Sequence, residues 1–245
     1  MLEGATHPVI AGLPKSATTF IIKSLGATLE APPTSITAAA PLHRTIIDGV
    51  KLDEFLKTPR GIGGHHIAPL RYNVDLLKVV GLNKVCLVLR DPRDALLSYW
   101  HFQNTAQVRA MAFVPWLNEA AGMQTAGYYS LSPQQQFAEL TRRVFPIMQK
   151  WMLDWFEIVD SGELDVCISH YESFVHDPHA RVASILAFFG HDEEPVLQPL
   201  DSGTKFRRGK VGAYRDEFPP EIVRRLDERM DPRLQRRLDA YADSI

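Results

Sequence analysis

Apolar positions along the chain fall into two kinds of run. Lys84 to Leu89, Lys-Val-Cys-Leu-Val-Leu, is nearly continuous, as a central strand buried on both faces requires. Pro8 to Leu13 and Asp165 to Ser169 read as further strands. Between them apolar residues recur at helical spacing. Examples are Phe20, Ile21, Ile22 and Leu25, then Ile46, Ile47, Val50 and Leu52 within Arg44–Leu56, and the stretch Leu70–Val80 closing at Gly81. A long aromatic helix is expected over Phe137–Val159, and a helix opened by Asp177-Pro178 runs to Gly190. The chain after Pro219 is helical and rich in arginine, whereas Ala31–Pro41 reads as a loop and Gly61–Ile67 is rich in glycine and histidine. No internal repeat is visible. The alternation predicts one α/β domain over 1–245, three-layered and P-loop-like, with helices on both faces of a mostly parallel sheet. Ligands in that architecture bind where loops leave the carboxyl ends of the strands.

Composition narrows the function classes. The 245 residues are 45% hydrophobic and 23% charged, with 27 Lys+Arg against 29 Asp+Glu and a formal charge of −2. That is an ordinary globular composition. It lacks the basic excess of a nonspecific nucleic-acid or anionic-membrane binder, so any polyanion must be held by a local cluster of charge. Cys86 and Cys167 each lie within an apolar strand, the pattern of two reduced, buried thiols. Neither a secretory leader nor a run of about 18 apolar residues is present, so a soluble cytoplasmic protein with no membrane partner is expected.

Three segments carry candidate chemistry. In Gly12-Leu13-Pro14-Lys15-Ser16-Ala17-Thr18-Thr19-Phe20 a strand turns tightly into a helix, so backbone N–H groups point out of the helix start beside a lysine and hydroxyls. Such a site suits phosphate. It departs from a Walker A loop, which places Gly-Lys immediately before Ser/Thr; an ordinary turn capped by Ser16 or Thr18 is the competing reading. The second segment is Leu89-Arg90-Asp91-Pro92-Arg93-Asp94, followed by Ser98-Tyr99-Trp100-His101-Phe102. Arg90 ends the buried strand, with Ser98 two turns into the next helix. Alternatively, Arg90 pairs with Asp94 and Ser98 bonds its own helix backbone. The third, Phe206-Arg207-Arg208-Gly209-Lys210-Val211-Gly212-Ala213-Tyr214, is a basic glycine-containing loop suited either to closing over phosphates or to bare solvation.

Taken in order, Pro-Lys-Ser-x-Thr-Thr-aromatic, Arg-Asp-Pro-Arg-Asp…Ser-Tyr-x-His-Phe and Arg-Arg-Gly-x-x-Gly-x-Tyr resemble the sulfotransferases that use 3′-phosphoadenosine-5′-phosphosulfate (PAPS). The resemblance spans Lys15 to Tyr214. It implies that Lys15, Ser16, Ala17, Thr18 and Thr19 hold the 5′-phosphosulfate. Arg90 and Ser98 would bind the 3′-phosphate, and the loop over 203–215, with Arg207, Arg208 and Gly209, would close on it. Tyr171 and Phe20 would lie by the adenine, Phe20 standing where the family usually has tryptophan. It implies a histidine base in Gly63-Gly64-His65-His66-Ile67-Ala68-Pro69, best aligned as His66 with His65 as the alternative. Gly64 replaces the family's lysine. A metal shared by His65 and His66 is disfavoured, because neighbouring strand residues point to opposite faces.

A histidine near its free pKa takes a hydroxyl proton at neutral pH. Lys15 would stabilise the leaving phosphate, and Ser98 would hold that lysine until the acceptor arrives. No metal is implied. The acceptor is expected to be a small, apolar or aromatic hydroxyl compound, because Gln103–Pro133 carries Met111, Phe113, Trp116, Leu117, Met123, Tyr128 and Tyr129. That segment reads as a lid over 103–133 or as small helices packed on the core. Two other classes stand beside this one. One is a small-molecule or nucleotide kinase, which needs the absent Walker A loop; the other is a nucleotide-binding protein of the same fold without catalysis.

Overall fold

The computed structural model describes residues 7–38, 42–110, 118, 121–123, 125–199 and 210–242. Five parallel strands form one sheet: β1 Val9–Gly12, β2 Pro33–Thr34, β3 Ile62–His65, β4 Lys84–Leu89 and β5 Asp165–His170. Their order is β2-β3-β1-β4-β5. From β1 the chain goes first to one side and then to the other, so β1 marks the switch point at which α/β sheets bind ligands.

Strand periodicity of two separates the cores. Val9, Ala11, Val85, Leu87 and Leu89 face one cluster, and Ile10, Cys86 and Val88 face the other. The first is closed by α2 Gly49–Lys57, α3 Arg71–Val79, α4 Pro92–Gln103 and the long helix that ends at Ser161. The second is closed by α1 Thr18–Thr28 and the helices after β5. Residues Val85 to Leu89 are 0% exposed, so the nearly unbroken apolar run of β4 is the sheet's centre, as expected. Cys86 and Cys167 are register partners with free thiols. Hydrogen bonding to Cys167 and burial raise the Cys86 thiol well above its ordinary pKa.

Several elements differ from the sequence expectation. Arg44–Leu56 divides into a 3-10 turn at Leu42–Arg44 and α2, which begins only at Gly49 under an Asp48 cap. Between them Ile47 pairs with Thr37 in an isolated bridge and its N–H is taken by buried Asn73, 2.8 Å away. The loop Ala31–Pro41 contributes the short edge strand β2. After α5 Ala106–Ala110 and α6 Thr125–Tyr129, the long aromatic helix comes in pieces: α7 Pro133–Glu139, a π turn Leu140–Val144 and α8 Phe145–Ser161. The cause is Pro146. It cannot donate to the carbonyl four residues back and its ring crowds that carbonyl, so the chain widens there and Phe145 N–H bonds Leu140 O. Helices α9 Tyr171–His176 and α10 Pro178–Phe188 follow β5, the latter capped by Asp177. The arginine-rich end forms α11 Tyr214–Glu217, α12 Pro220–Arg229 and α13 Pro232–Ala242. Among the described residues no helix is long and apolar enough to cross a membrane.

Candidate active site

The loop after β1 is built on two left-handed residues, Lys15 (φ 69°) and Ala17 (φ 67°). Each costs an L-residue roughly 1–2 kcal/mol, the kind of strain that collects at functional sites. Gly12 permits the loop to return, since a Cβ there would lie 2.0 Å from the Thr18 hydroxyl oxygen. Neither Ser16 nor Thr18 caps α1. The cap residue is Ala17, with no side-chain acceptor, while the Ser16 hydroxyl turns back to Leu13 O (2.5 Å) and reaches Val88 O (3.2 Å). The ordinary capped turn is therefore not what forms. The N-cap residue thus leaves the first N–H groups of α1, at the positive end of the helix dipole, without a side-chain acceptor of its own. Thr19 and half-buried Phe20 occupy the opening turn, and the Phe20 ring stands 5.0 Å from Phe174.

Arg90 leaves the carboxyl end of β4 and is 7% exposed. Its Nη1 donates to Lys15 O (3.1 Å) and its Nη2 to Lys210 O (3.4 Å), while its guanidinium lies 4.0 Å from the Tyr171 ring centroid. Its buried Nε has no hydrogen-bond partner among the described residues. The pairing with Asp94 is loose, at 4.0 Å. An arginine fixed by carbonyls and an aromatic face is a preset donor, and burying it unmatched is costly. Ser98 is half-buried on α4, one turn from Phe102, whose ring centroid lies 4.7 Å from Lys15 Nζ.

His66 stands just beyond β3. Its Nδ1 is 2.7 Å from Gly12 O. A carbonyl only accepts, so Nδ1 carries the proton and Nε2 the lone pair. Burial, then the charges of His65 and Lys15, hold the imidazole well below its ordinary pKa, against the opposing bond to Gly12. The expectation that His65 and His66 point apart is corrected: their rings meet edge-on at 3.9 Å. β3 ends at His65, and Gly64 at φ 123° breaks the alternation. A Cβ at 64 would lie 2.0 Å from Ile10 O, which explains why no lysine stands there. Among the described residues no group of three or more His, Cys, Asp or Glu could hold a metal.

The loops thus bring Lys15, His66, Arg90 and Tyr171 together at the carboxyl ends of the central strands. Met123 and Tyr128 of the 103–133 segment are buried in the core, and Tyr129 packs against it. Arg207, Arg208, Gly209, Met111, Phe113, Trp116 and Leu117 lie outside the described residues. The sequence reading names Asp94 only as a competing partner of Arg90, and gives Phe102 no role beyond its place in the second motif. Their spacing, 94-98-102, puts them on the Ser98 face of α4 and was the available signal.

Residues 73–202, more than half of the chain, match the family model described as the sulfotransferase domain. The chain belongs to this family. Among solved structures, mouse sulfotransferase SULT7A1 complexed with PAP is 19% identical over 98% of this chain and 89% of its own, with a TM-score of 0.62. A sulfotransferase from Alicyclobacillus acidocaldarius is 17% identical over 94% and 98%, with a TM-score of 0.48. No curated protein matches the sequence. In this sulfotransferase the matched segment includes Arg90, Ser98 and Tyr171 but begins after the Lys15 loop and His66.

Proposed function

We propose that this sulfotransferase moves a sulfuryl group from PAPS to the hydroxyl of a small apolar or aromatic acceptor. The observation that carries the reading is Arg90, buried with an Nε that has no partner among the described residues, beside a helix start whose cap residue offers no side-chain acceptor, two anion points joined by one hydrogen bond through Lys15 O. Both points fit a nucleotide with phosphates at two positions, and the mouse structure contains PAP. Lys15, Ser16, Ala17, Thr18 and Thr19 would hold the 5′ end and Arg90 with Ser98 the 3′-phosphate; Phe20 and Tyr171 would flank the base.

PAPS supplies the activated sulfuryl group. Sulfuryl transfer, like phosphoryl transfer, asks the protein for position and charge stabilisation. Nε2 of His66 accepts the acceptor's proton, because the tautomer fixed by Gly12 O leaves its lone pair there. The imidazole does not keep the near-free pKa expected of it: burial depresses it, which keeps it neutral below the usual histidine range but makes it a weaker base. Lys15 meets negative charge as it develops on the leaving phosphate, and Ser98 holds that lysine until the acceptor is bound. Incubation with radiolabelled PAPS and a panel of alcohols, phenols and sugars tests this. Label should pass to an apolar or aromatic hydroxyl compound, with activity persisting in EDTA. No transfer to any acceptor, or activity lost in EDTA and restored by magnesium, would overturn it.

A further inference from the structure

Asp94 is 1% exposed on the first turn of α4, yet it faces main chain from the far end of the sequence. Its Oδ2 accepts from Gly212 N–H (2.6 Å) and its Oδ1 from Tyr214 N–H (3.0 Å). Both oxygens accept, the pattern of a carboxylate; a protonated oxygen would set O–H against N–H. Gly212 is left-handed at φ 74°, which turns its N–H toward the same carboxylate as that of Tyr214, two residues on. The same Oδ2 lies 4.0 Å from Arg90 Nη2, and that Nη2 also donates to Lys210 O. Arg90 and Asp94 therefore grip one five-residue stretch, Lys210 to Tyr214, by its carbonyl and its amides. Tyr214 is buried, and the Arg93 guanidinium lies 4.9 Å from its ring centroid.

We infer that Asp94 is a positioning residue for the 3′-phosphate subsite, fixing Arg90 and the Lys210–Tyr214 stretch in one arrangement. It touches no substrate. It acts by orienting the guanidinium and by docking the main chain that the guanidinium also holds. Binding an anion on Arg90 and docking Lys210–Tyr214 then favour each other, because each fixes the group the other needs. Without Asp94, Arg90 keeps Lys15 O and the Tyr171 face but loses a negative neighbour and the anchor of its third partner.

The inference rests on the PAPS reading, and the experiment separates the two. Adenosine 3′,5′-bisphosphate and AMP are titrated by calorimetry at fixed salt into wild type and Asp94→Asn. Asparagine keeps one acceptor and turns an NH2 toward a backbone N–H. The ratio of the two affinities should fall at least about tenfold in Asp94→Asn, with AMP affinity within about twofold of wild type, which also shows that the variant is folded. Amide exchange at Gly212 and Tyr214 should be slowed by the bisphosphate in wild type more than by AMP. If wild type does not prefer the bisphosphate, the PAPS reading fails. If wild type prefers it and Asp94→Asn keeps the ratio, or loses both nucleotides equally, the positioning role is overturned. Should Asp94→Asn not fold, the wild-type exchange decides: equal protection by both nucleotides overturns the inference.

Discussion

The loops at the strand ends and the helices after α4 differ in how their buried side chains are held. At the strand ends, side chains are tied to main chain: Arg90 to Lys15 O and Lys210 O, His66 to Gly12 O, Ser16 to Leu13 O and Val88 O, Asp94 to two amides. After α4, side chains also hold one another. Buried Asn118 accepts from Tyr99 and Gln103, while Gln136 Oε1 accepts from Trp100 and Asn104. Gln103 Oε1, Asn118 Nδ2 and Tyr128 OH remain buried and unpartnered among the described residues. Main-chain groups are present whatever the residue, so the strand-end loops depend on a few positions. A side-chain network depends on every member, and a half-satisfied one is costly.

That contrast can be broken most sharply at His66. His66→Ala should lower turnover by about 10²–10⁴-fold, the worth of a positioned general base, with nucleotide affinity unchanged by calorimetry. The same loss in His65→Ala, with His66→Ala active, would move the base by one residue.

Next in size is the pH dependence of stability. His170 ends β5, 7% exposed, against the Tyr241 ring and 4.0 Å from the Glu172 carboxylate. Burial, and then the charge of Arg181, lower its pKa from 6.5 to about 4. A histidine depressed in the fold costs nothing above pH 6.5, and stability is lost as pH falls from there toward 4, because only the unfolded chain takes the proton. At 1.36 kcal/mol per pKa unit the loss reaches about 3 kcal/mol. Urea unfolding of wild type and His170→Phe at pH 7 and 4.5 should show a smaller drop in the variant. His66, depressed for similar reasons, contributes in the same direction.

The 3′-phosphate comes third. Arg90→Ala should reduce the preference for adenosine 3′,5′-bisphosphate over AMP by about 100-fold, or about 2.7 kcal/mol. Lys15→Ala should weaken both nucleotides evenly. Equal affinity of wild type for both would remove the difference on which the cofactor reading stands.

The smallest effect belongs to the helices after α4. Gln136 also donates to Tyr128 O and Leu131 O. Gln136→Ala should cost about 2 kcal/mol of stability, by the penalty for stranding buried partners. Bisphosphate affinity should not change; if it falls, the two regions are not separate.

Much of this was legible in the residues. The β4 run, the Asp91-Pro92 start of α4 and the Asp177-Pro178 start of α10 form as patterned, because caps and continuous burial act locally. The piece between Arg44 and Gly49 was misread because Ile46 and Ile47 fit helical spacing, and only Asn73, distant in sequence, offers Ile47 a better partner. Pro146 could have signalled the interrupted helix.

The sequence by itself determined the alternation, and with it a three-layer parallel fold, and the order of motifs that marks a sulfotransferase. These depend on neighbours in the chain and on which residues must leave water. Tertiary structure alone decided that Arg90 is braced by Lys15 and Lys210, that His66 carries its proton on Nδ1 against Gly12, and that Asp94 holds Gly212 and Tyr214. Those contacts join residues 54 to 120 positions apart. The register of β3, β1 and β4 brings His66 to Gly12 and Arg90 to the Lys15 loop, and the docking of Lys210–Tyr214 on the start of α4 supplies the rest; both exist only once the sheet has formed.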